Sequence, residues 1–259
     1  MKNCLILGSG RSGTSMVGGI LSKAGYFMGD HLWPGRDSNP KGFYEDEEVN
    51  RINEELLASV VPRRRSFSFR PYRLRRWLFH RSPTEWQRWL ACVPVASNIV
   101  ANPSISDRID RLTRREPFCF KDPRFSYTLP AWRPFLNDTV FVCVFRDPAT
   151  TAQSILKECR DAEDLQDLWI NRRRALRVWT LMYQHILERH RLDGEWLFLH
   201  YDQLLSDEGL DRLKAFTGAM VDRSFPEKSL RRSSPAGTVP PQAQEIFQTL
   251  CQLAGHSHG

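Results

Sequence analysis

The sequence predicts an α/β fold in which a central, mostly parallel sheet is flanked by helices. Three observations carry this: four short apolar runs, helical spacing of apolar residues between or after them, and no strict apolar–polar alternation within them. Alternation marks a strand with one wet face, whereas a continuous apolar run marks a strand covered on both faces, as parallel strands under helices are. The runs are Cys4–Leu7, Phe118–Phe120, Val140–Phe145 and Trp196–Leu199.

After the first run the chain passes through a glycine-rich turn into Met16, Val17, Ile20, Leu21 and Ala24, which recur at helical spacing and stop at Gly25. Gly29 to Gly42, with Pro34, Gly35 and Pro40 between, has too many breakers for a regular element and reads as a loop. A second helix begins near Glu45 and places Val49, Ile52, Leu56 and Leu57 on one face, with Glu47, Glu48 and Glu54 mostly off it. One long helix is expected over Leu168 to Leu187, and Leu210, Leu213 and Phe216 mark a later one. The sequence shows no internal repeat.

A chain of 259 residues with 41% hydrophobic content can bury one full core, so a single domain over 1–259 is expected, with a basic, aromatic-rich excursion at about 61–102. The net charge of +7 favours anionic partners without choosing among nucleic acid, lipid and a phosphorylated nucleotide. Much of the excess lies between Arg63 and Arg88, where arginines alternate with Phe67, Phe69, Tyr72, Trp77, Phe79 and Trp86. That composition suits an anionic membrane or glycan surface. It suits equally well a solvated arginine face whose aromatics pack on the body, and no specific nucleic acid is expected. Six cysteines without C-x-x-C or metal-ligand spacing read as reduced, buried thiols. No apolar run approaches the roughly 20 residues of a membrane span, and the strand pattern at Cys4 leaves no room for a signal region, so a cytoplasmic location is expected.

Gly8 to Ser15 reads G-S-G-R-S-G-T-S between a strand and a helix, where backbone amides and a helix N-terminus surround an anion. The spacing is that of G-x-x-x-x-G-K-[ST], but Thr14 stands where the lysine that reaches the β and γ phosphates belongs. An ATP-using enzyme would lack its main cation, while Arg11, three residues earlier, is placed to reach the bridging oxygen of a shorter anhydride. A P-loop-like three-layer fold follows. The strand Val140–Phe145 ends in Arg146, Asp147 and Pro148, and Ser154 lies eight residues after the arginine on the expected helix. The planar fork of an arginine and a serine hydroxyl together clamp one phosphate. Asp147 as a magnesium-binding acid at a kinase strand end is the rival reading, displaced by one residue.

Together the two motifs resemble the sulfotransferase superfamily, bacterial members included. That family has a loop of the form [KR]-S-G-T-[ST], matched by Arg11, Ser12, Gly13, Thr14 and Ser15, and a strand ending in R-x-P with a serine eight residues past the arginine, matched by Arg146, Pro148 and Ser154. The resemblance runs from Lys2 to about Gly218. It implies 3′-phosphoadenosine 5′-phosphosulfate (PAPS) as donor, its 3′-phosphate held by Arg146 and Ser154, 3′-phosphoadenosine 5′-phosphate as product, and no obligatory metal. A sulfuryl group would pass to a hydroxyl or amine of an acceptor that is a carbohydrate, a lipid or a small metabolite. The segment His200 to Leu205 is similar to the family's Y-[ED]-x-L, which makes Tyr201 either an adenine contact or a half-buried tyrosine. Arg231 and Arg232 stand where the family often closes its nucleotide pocket with a basic loop, although the usual R-K-G is absent.

The transfer also needs a base for the acceptor proton. The histidine of the family's K-T-H segment has no counterpart, since the strand at Phe118 ends in Lys121, Asp122, Pro123 and Arg124. The run Asn39 to Asp46 resembles bacterial sulfotransferases in which a glutamate after the phosphate loop is the proposed base, and this points to Glu45. Phe43 and Tyr44 would desolvate its carboxylate and raise its pKa; an acid favouring the helix dipole is the equal alternative. Asp122 is the second candidate, or an orienting member of a charged network. Two other classes stay open: a P-loop kinase using ATP, and a non-catalytic α/β protein binding anions or nucleic acid.

Overall fold

Each apolar run is a strand in the computed structural model, which describes residues 1–37, 39–61, 82–227 and 237–257. Residues 62–81 of the arginine-rich excursion, together with Arg231 and Arg232, lie outside the described residues. The strands are β1 (Asn3–Leu7), β2 (Cys119–Lys121), β3 (Thr139–Phe145) and β4 (Glu195–His200). They form one sheet in the order β2-β1-β3-β4, and every pairing is parallel. Every residue of β1 is buried, as is all of β3 after its first residue. This explains why the runs do not alternate: both faces are covered.

The two faces feed different cores. Leu5, Leu7, Phe120, Phe141, Cys143, Phe145 and Phe198 pack into one cluster, while Cys4, Ile6, Cys119, Val142, Val144 and Leu199 pack into another. The first cluster is covered by α2 (Glu47–Ala58), α3 (Pro103–Thr113), α4 (Phe125–Trp132), α6 (Arg172–His185) and α8 (Pro241–Ala254). The second is covered by α1 (Thr14–Leu21) and α7 (Asp207–Thr217). A further helix, α5 (Pro148–Asp161), packs against α6 through Ile155, Cys159 and Leu176. The result is the three-layer α/β arrangement that the apolar runs predict.

Several boundaries differ from the sequence reading for identifiable reasons. Asp46 accepts from the amides of Glu48 and Val49 at 3.0 and 3.1 Å, so α2 starts at Glu47. Asn171 caps α6 through the amide of Arg174, so that helix starts at Arg172 and not at Leu168, which packs beside Leu165 in the segment before it. The α-helix ends at His185, and a single π-turn carries the chain on to His190. Glu54 does not lie off the buried face: it is 1% exposed and is held by two arginines. All six cysteines are free, with five of them buried. Among the described residues no helix is long and apolar enough to cross a membrane.

β2 pairs along one edge of β1 and β3 along the other, so the strand order reverses between β1 and β3. In open parallel sheets the crevice beyond the carboxyl ends of the strands at such a point is where ligands bind. Both phosphate motifs begin there.

Candidate active site

The loop after β1 is shaped by close approach. Gly8 has φ +133°, and a Cβ on it would come 2.1 Å from the Val144 carbonyl oxygen of β3. Gly13 has φ +100°, and a Cβ there would lie 2.7 Å from the ring of Tyr201. Only glycine meets both demands. From α6, the Tyr183 hydroxyl donates to the Val144 carbonyl at 2.7 Å and accepts from the Ser9 amide at 3.1 Å, fastening the loop to β3. Burial pushes the Tyr183 phenol far up, so it stays neutral. The loop then enters α1, whose first residues Thr14, Ser15 and Met16 line the cleft, and a helix N-terminus there favours an anion.

Arg11 is held in the left-handed region with φ 71°. Its Nε donates to Ser154 Oγ at 3.2 Å, and its Nη1 lies 3.2 Å from the carboxylate of Glu158, which is 6% exposed. Arg11 and Ser154, singled out from separate motifs 143 residues apart, are thus in direct contact. Arg146 sits at the end of β3 with its guanidinium 4.4 Å from the Tyr201 ring centre. Tyr201 lies between Arg146 and Gly13 and is anchored by its amide to the Phe145 carbonyl at 2.8 Å. Asp147 accepts from the amide and hydroxyl of Thr150, both at 2.7 Å. It caps α5, which accounts for the acid without a metal.

These residues line one cleft of about 160 Å³: Arg11, Gly13, Thr14, Ser15, Arg146, Ser154 and Tyr201, with Lys41, Phe225 and Glu227 on its far side. Ser12, within the loop, is fully buried. A larger cavity of about 690 Å³ shares Arg11 and Ser154 with the cleft and adds Lys157. Arg232 lies outside the described residues.

On the other side of the loop, Lys121 ends β2 in register with Ile6 of β1. Its Nζ donates to Ser15 Oγ at 3.2 Å and pairs with the Glu45 carboxylate. Arg124 Nη1 is 4.0 Å from the same carboxylate. Glu45 therefore faces two cations and the loop, while Asp46 takes the helix cap. The expected aromatic cover is divided: Phe43 lines the same cavity as Glu45, but Tyr44 packs on Phe225, 5.7 Å between ring centres. Asp122 is fully buried and accepts from Asn50 Nδ2 (2.8 Å), Asn53 Nδ2 (2.9 Å), the Arg124 amide (2.8 Å) and Arg124 Nη1 (3.1 Å). That geometry suits the orienting role. Burial alone would lower the Arg124 pKa, but Asp122, Glu54 and Glu45 more than reverse this, and it stays charged.

Sequence reasoning gave Lys121 no role beyond that of a neighbour to Asp122. Its signal is its place at the end of the strand paired to β1. It also missed Trp33, which joins Trp86, Trp89 and Phe43 around a cavity of about 410 Å³ that reaches Glu45 and Lys121. The partners of Arg11 were half legible, since Ser154 was marked but Glu158 was not.

The fold and its strand ends define an α/β protein whose anion-binding features are gathered in one crevice. The chain belongs to the sulfotransferase family: the family model described as "Sulfotransferase family" matches residues 4–217. No curated protein matches the chain in sequence. Two solved structures share its fold. The sulfotransferase domain from the olefin synthase of Synechococcus PCC 7002 is 15% identical, covers 97% of this chain and 96% of its own, and superposes with a TM-score of 0.53. The sulfotransferase domain from the curacin biosynthetic pathway is 12% identical, covers 100% and 99%, and gives a TM-score of 0.57.

Proposed function

We propose that this sulfotransferase takes its sulfuryl group from PAPS and passes it to a hydroxyl group. The observation that carries the donor assignment is the contact between Arg11 and Ser154, which joins the phosphate loop and the arginine–serine clamp into a single cleft. An adenosine bisphosphate has two anionic ends, and the cleft offers cations and hydroxyls from both motifs. The neighbouring cavity at Arg11 and Ser154 gives room for the nucleoside. The kinase reading is weaker because Thr14 replaces the lysine and Asp147 is committed to capping α5.

In the proposed reaction the acceptor oxygen forms a new S–O bond as the sulfur parts from the bridging oxygen, whose electron pair leaves with the 5′-phosphate. The α1 terminus, the loop amides and Arg11 bind that developing charge. Glu45 takes the acceptor proton, and Lys121 links it to the loop through Ser15. Asp122 orients Arg124 beneath this pair. No metal is required, and Tyr201 and Arg232 are proposed as further donor contacts. Free, buried thiols support a reducing, cytoplasmic setting. The stretch Arg63–Arg88 is proposed as an anionic membrane or glycan surface; its described end contributes Trp86 to the acceptor side.

Titration calorimetry with 3′-phosphoadenosine 5′-phosphate and with AMP tests the assignment. The bisphosphate should bind at least about tenfold more tightly, as a charge-assisted contact of about 1.5–3 kcal/mol requires. Arg146→Ala should abolish the difference while leaving AMP binding nearly unchanged. Equal affinities in the parent protein would overturn the donor assignment.

A further inference from the structure

Resting on the sulfuryl-transfer reading above, we infer that the acceptor is a neutral alcohol carried on a flat ring system, and not a sugar, an alkyl chain or an amine. The cavity beside Glu45 and Lys121 holds about 410 Å³, within the range of pockets that enclose a small ligand. Its apolar wall is made of rings. Trp33 and Trp86 stand edge to face with 5.7 Å between ring centres, Phe43 joins them, and Pro34 and Pro123 add flat faces. Trp89 lies so close over Gly10 that a Cβ there would come 2.7 Å from its ring, which fixes the wall to the phosphate loop. Leu165 is the aliphatic exception. Aromatic walls reward a planar guest through offset and edge-to-face contacts that an alkyl chain does not make.

The polar lining argues against a sugar. A pyranose needs donors and acceptors for several hydroxyls, yet the side chains here are committed to one another. Asn50 donates to Asp122, Arg124 pairs with Asp122 and Glu54, Arg36 pairs with Asp164, and Glu158 is beside Arg11. Polar groups meet the phosphate loop at Arg11 with Glu158 and at Ser15 with Lys121 and Glu45, and in the second place a carboxylate stands beside the loop without an arginine of the loop on it. This serves one reacting hydroxyl. Four cations face three acids around the cavity, and each acid already stands beside a cation, so the lining leaves no counter-ion for an ammonium and too small a positive excess to hold a polyanion.

The test uses the full chain with PAPS and follows formation of the bisphosphate with four probes of different class: 2-naphthol, 1-decanol, methyl α-glucopyranoside and benzylamine. Calorimetric binding of each probe, with and without the bisphosphate, runs in parallel. The naphthol should saturate at a concentration at least tenfold below decanol, with no saturation by the glucoside or the amine. Trp33→Ala and Trp86→Ala should each raise the naphthol KM about tenfold with bisphosphate affinity unchanged, and Trp86→Phe should restore most of it if the alanine variant is unstable. Preference for decanol, the glucoside or the amine overturns the inference and leaves sulfuryl transfer standing. Failure of the bisphosphate complex to bind naphthol overturns it too, even if no probe turns over. Failure to bind the bisphosphate at all overturns the donor reading, and naphthol binding to the free chain then decides the pocket's preference by itself.

Discussion

Glu45 and Asp122 are both carboxylates at the carboxyl end of the sheet, but their partners assign them different work. Asp122 uses both oxygens to accept four hydrogen bonds, two of them from asparagine amides on α2. An asparagine in its place would turn a donor toward other donors, so Asp122→Asn should cost about 3–5 kcal/mol of stability in urea unfolding, as breaking a buried charged pair does. Glu45 pairs with the buried Lys121 at the edge of an open cavity, so Glu45→Gln should lose some stability, although its amide oxygen can still accept from Lys121, and should keep its bisphosphate affinity. Its transfer rate should fall roughly 10²- to 10⁴-fold for a lost general base. A parent-like rate in Glu45→Gln would move the proton acceptor elsewhere. The sequence put Glu45 first and Asp122 second, or as an orienting member of a charged network, but held no contact that grounds the ranking. The ranking comes from Asn50 and Asn53, 72 and 69 residues before their partner, and no local spacing reports such a contact.

At the level of elements, the strands were legible because burial on both faces leaves uninterrupted apolar runs. The helices were legible less evenly: α1 was read from its apolar spacing although it has no exposed face, while the amphipathic α3 and α8 were not read. α4 buries Phe125, Tyr127, Leu129 and Trp132 and also Ser126 and Thr128, so it has no polar stripe to mark its period, and Pro130 disguises it further. The phosphate loop is an element fastened from outside: Tyr183 on α6 holds Ser9, and Ser126 on α4 accepts from the Gly8 amide at 3.3 Å. Tyr183→Phe keeps the ring and removes the hydroxyl, leaving the Val144 carbonyl and the Ser9 amide without that partner in a dry site. The expected loss is about 1–3 kcal/mol of stability, accompanied by weaker bisphosphate binding in calorimetry. Weakened stability with unchanged bisphosphate affinity would show that the tyrosine supports the core and leaves the loop's geometry alone.

Across the whole molecule, what composition could not reveal is how the layers are closed behind the sheet, and there two histidines matter. His190 is 2% exposed at the end of the π-turn, and its Nε2 lies 3.1 Å from the Ser126 carbonyl, so that nitrogen carries the proton. Burial, then the neighbouring His185, lowers its pKa from 6.5 to about 3; Arg133 and Arg189 act in the same direction, and the Ser126 carbonyl opposes them. Burial lowers His185 as well, with Arg189 adding to the effect while the Val93 and Pro94 carbonyls and Glu188 oppose it. Between pH 6.5 and about 3 the unfolded chain therefore binds a proton at His190 that the folded chain refuses. The unfolding free energy must fall as the pH falls through that window, by about 1.4 kcal/mol per pH unit for one such group. The loss should reach roughly 2 kcal/mol between pH 6.5 and pH 5, measured as the shift in urea unfolding. Asp222, whose pKa is lowered to about 2 by Ser224 and Lys23, loses its contribution only below about pH 4, so it does not confuse this range. His190→Gln retains a side-chain donor for the Ser126 carbonyl and removes the titration. Its stability should decline less steeply from pH 6.5 to pH 5 than that of the parent, and equal slopes would place the acid sensitivity in another group.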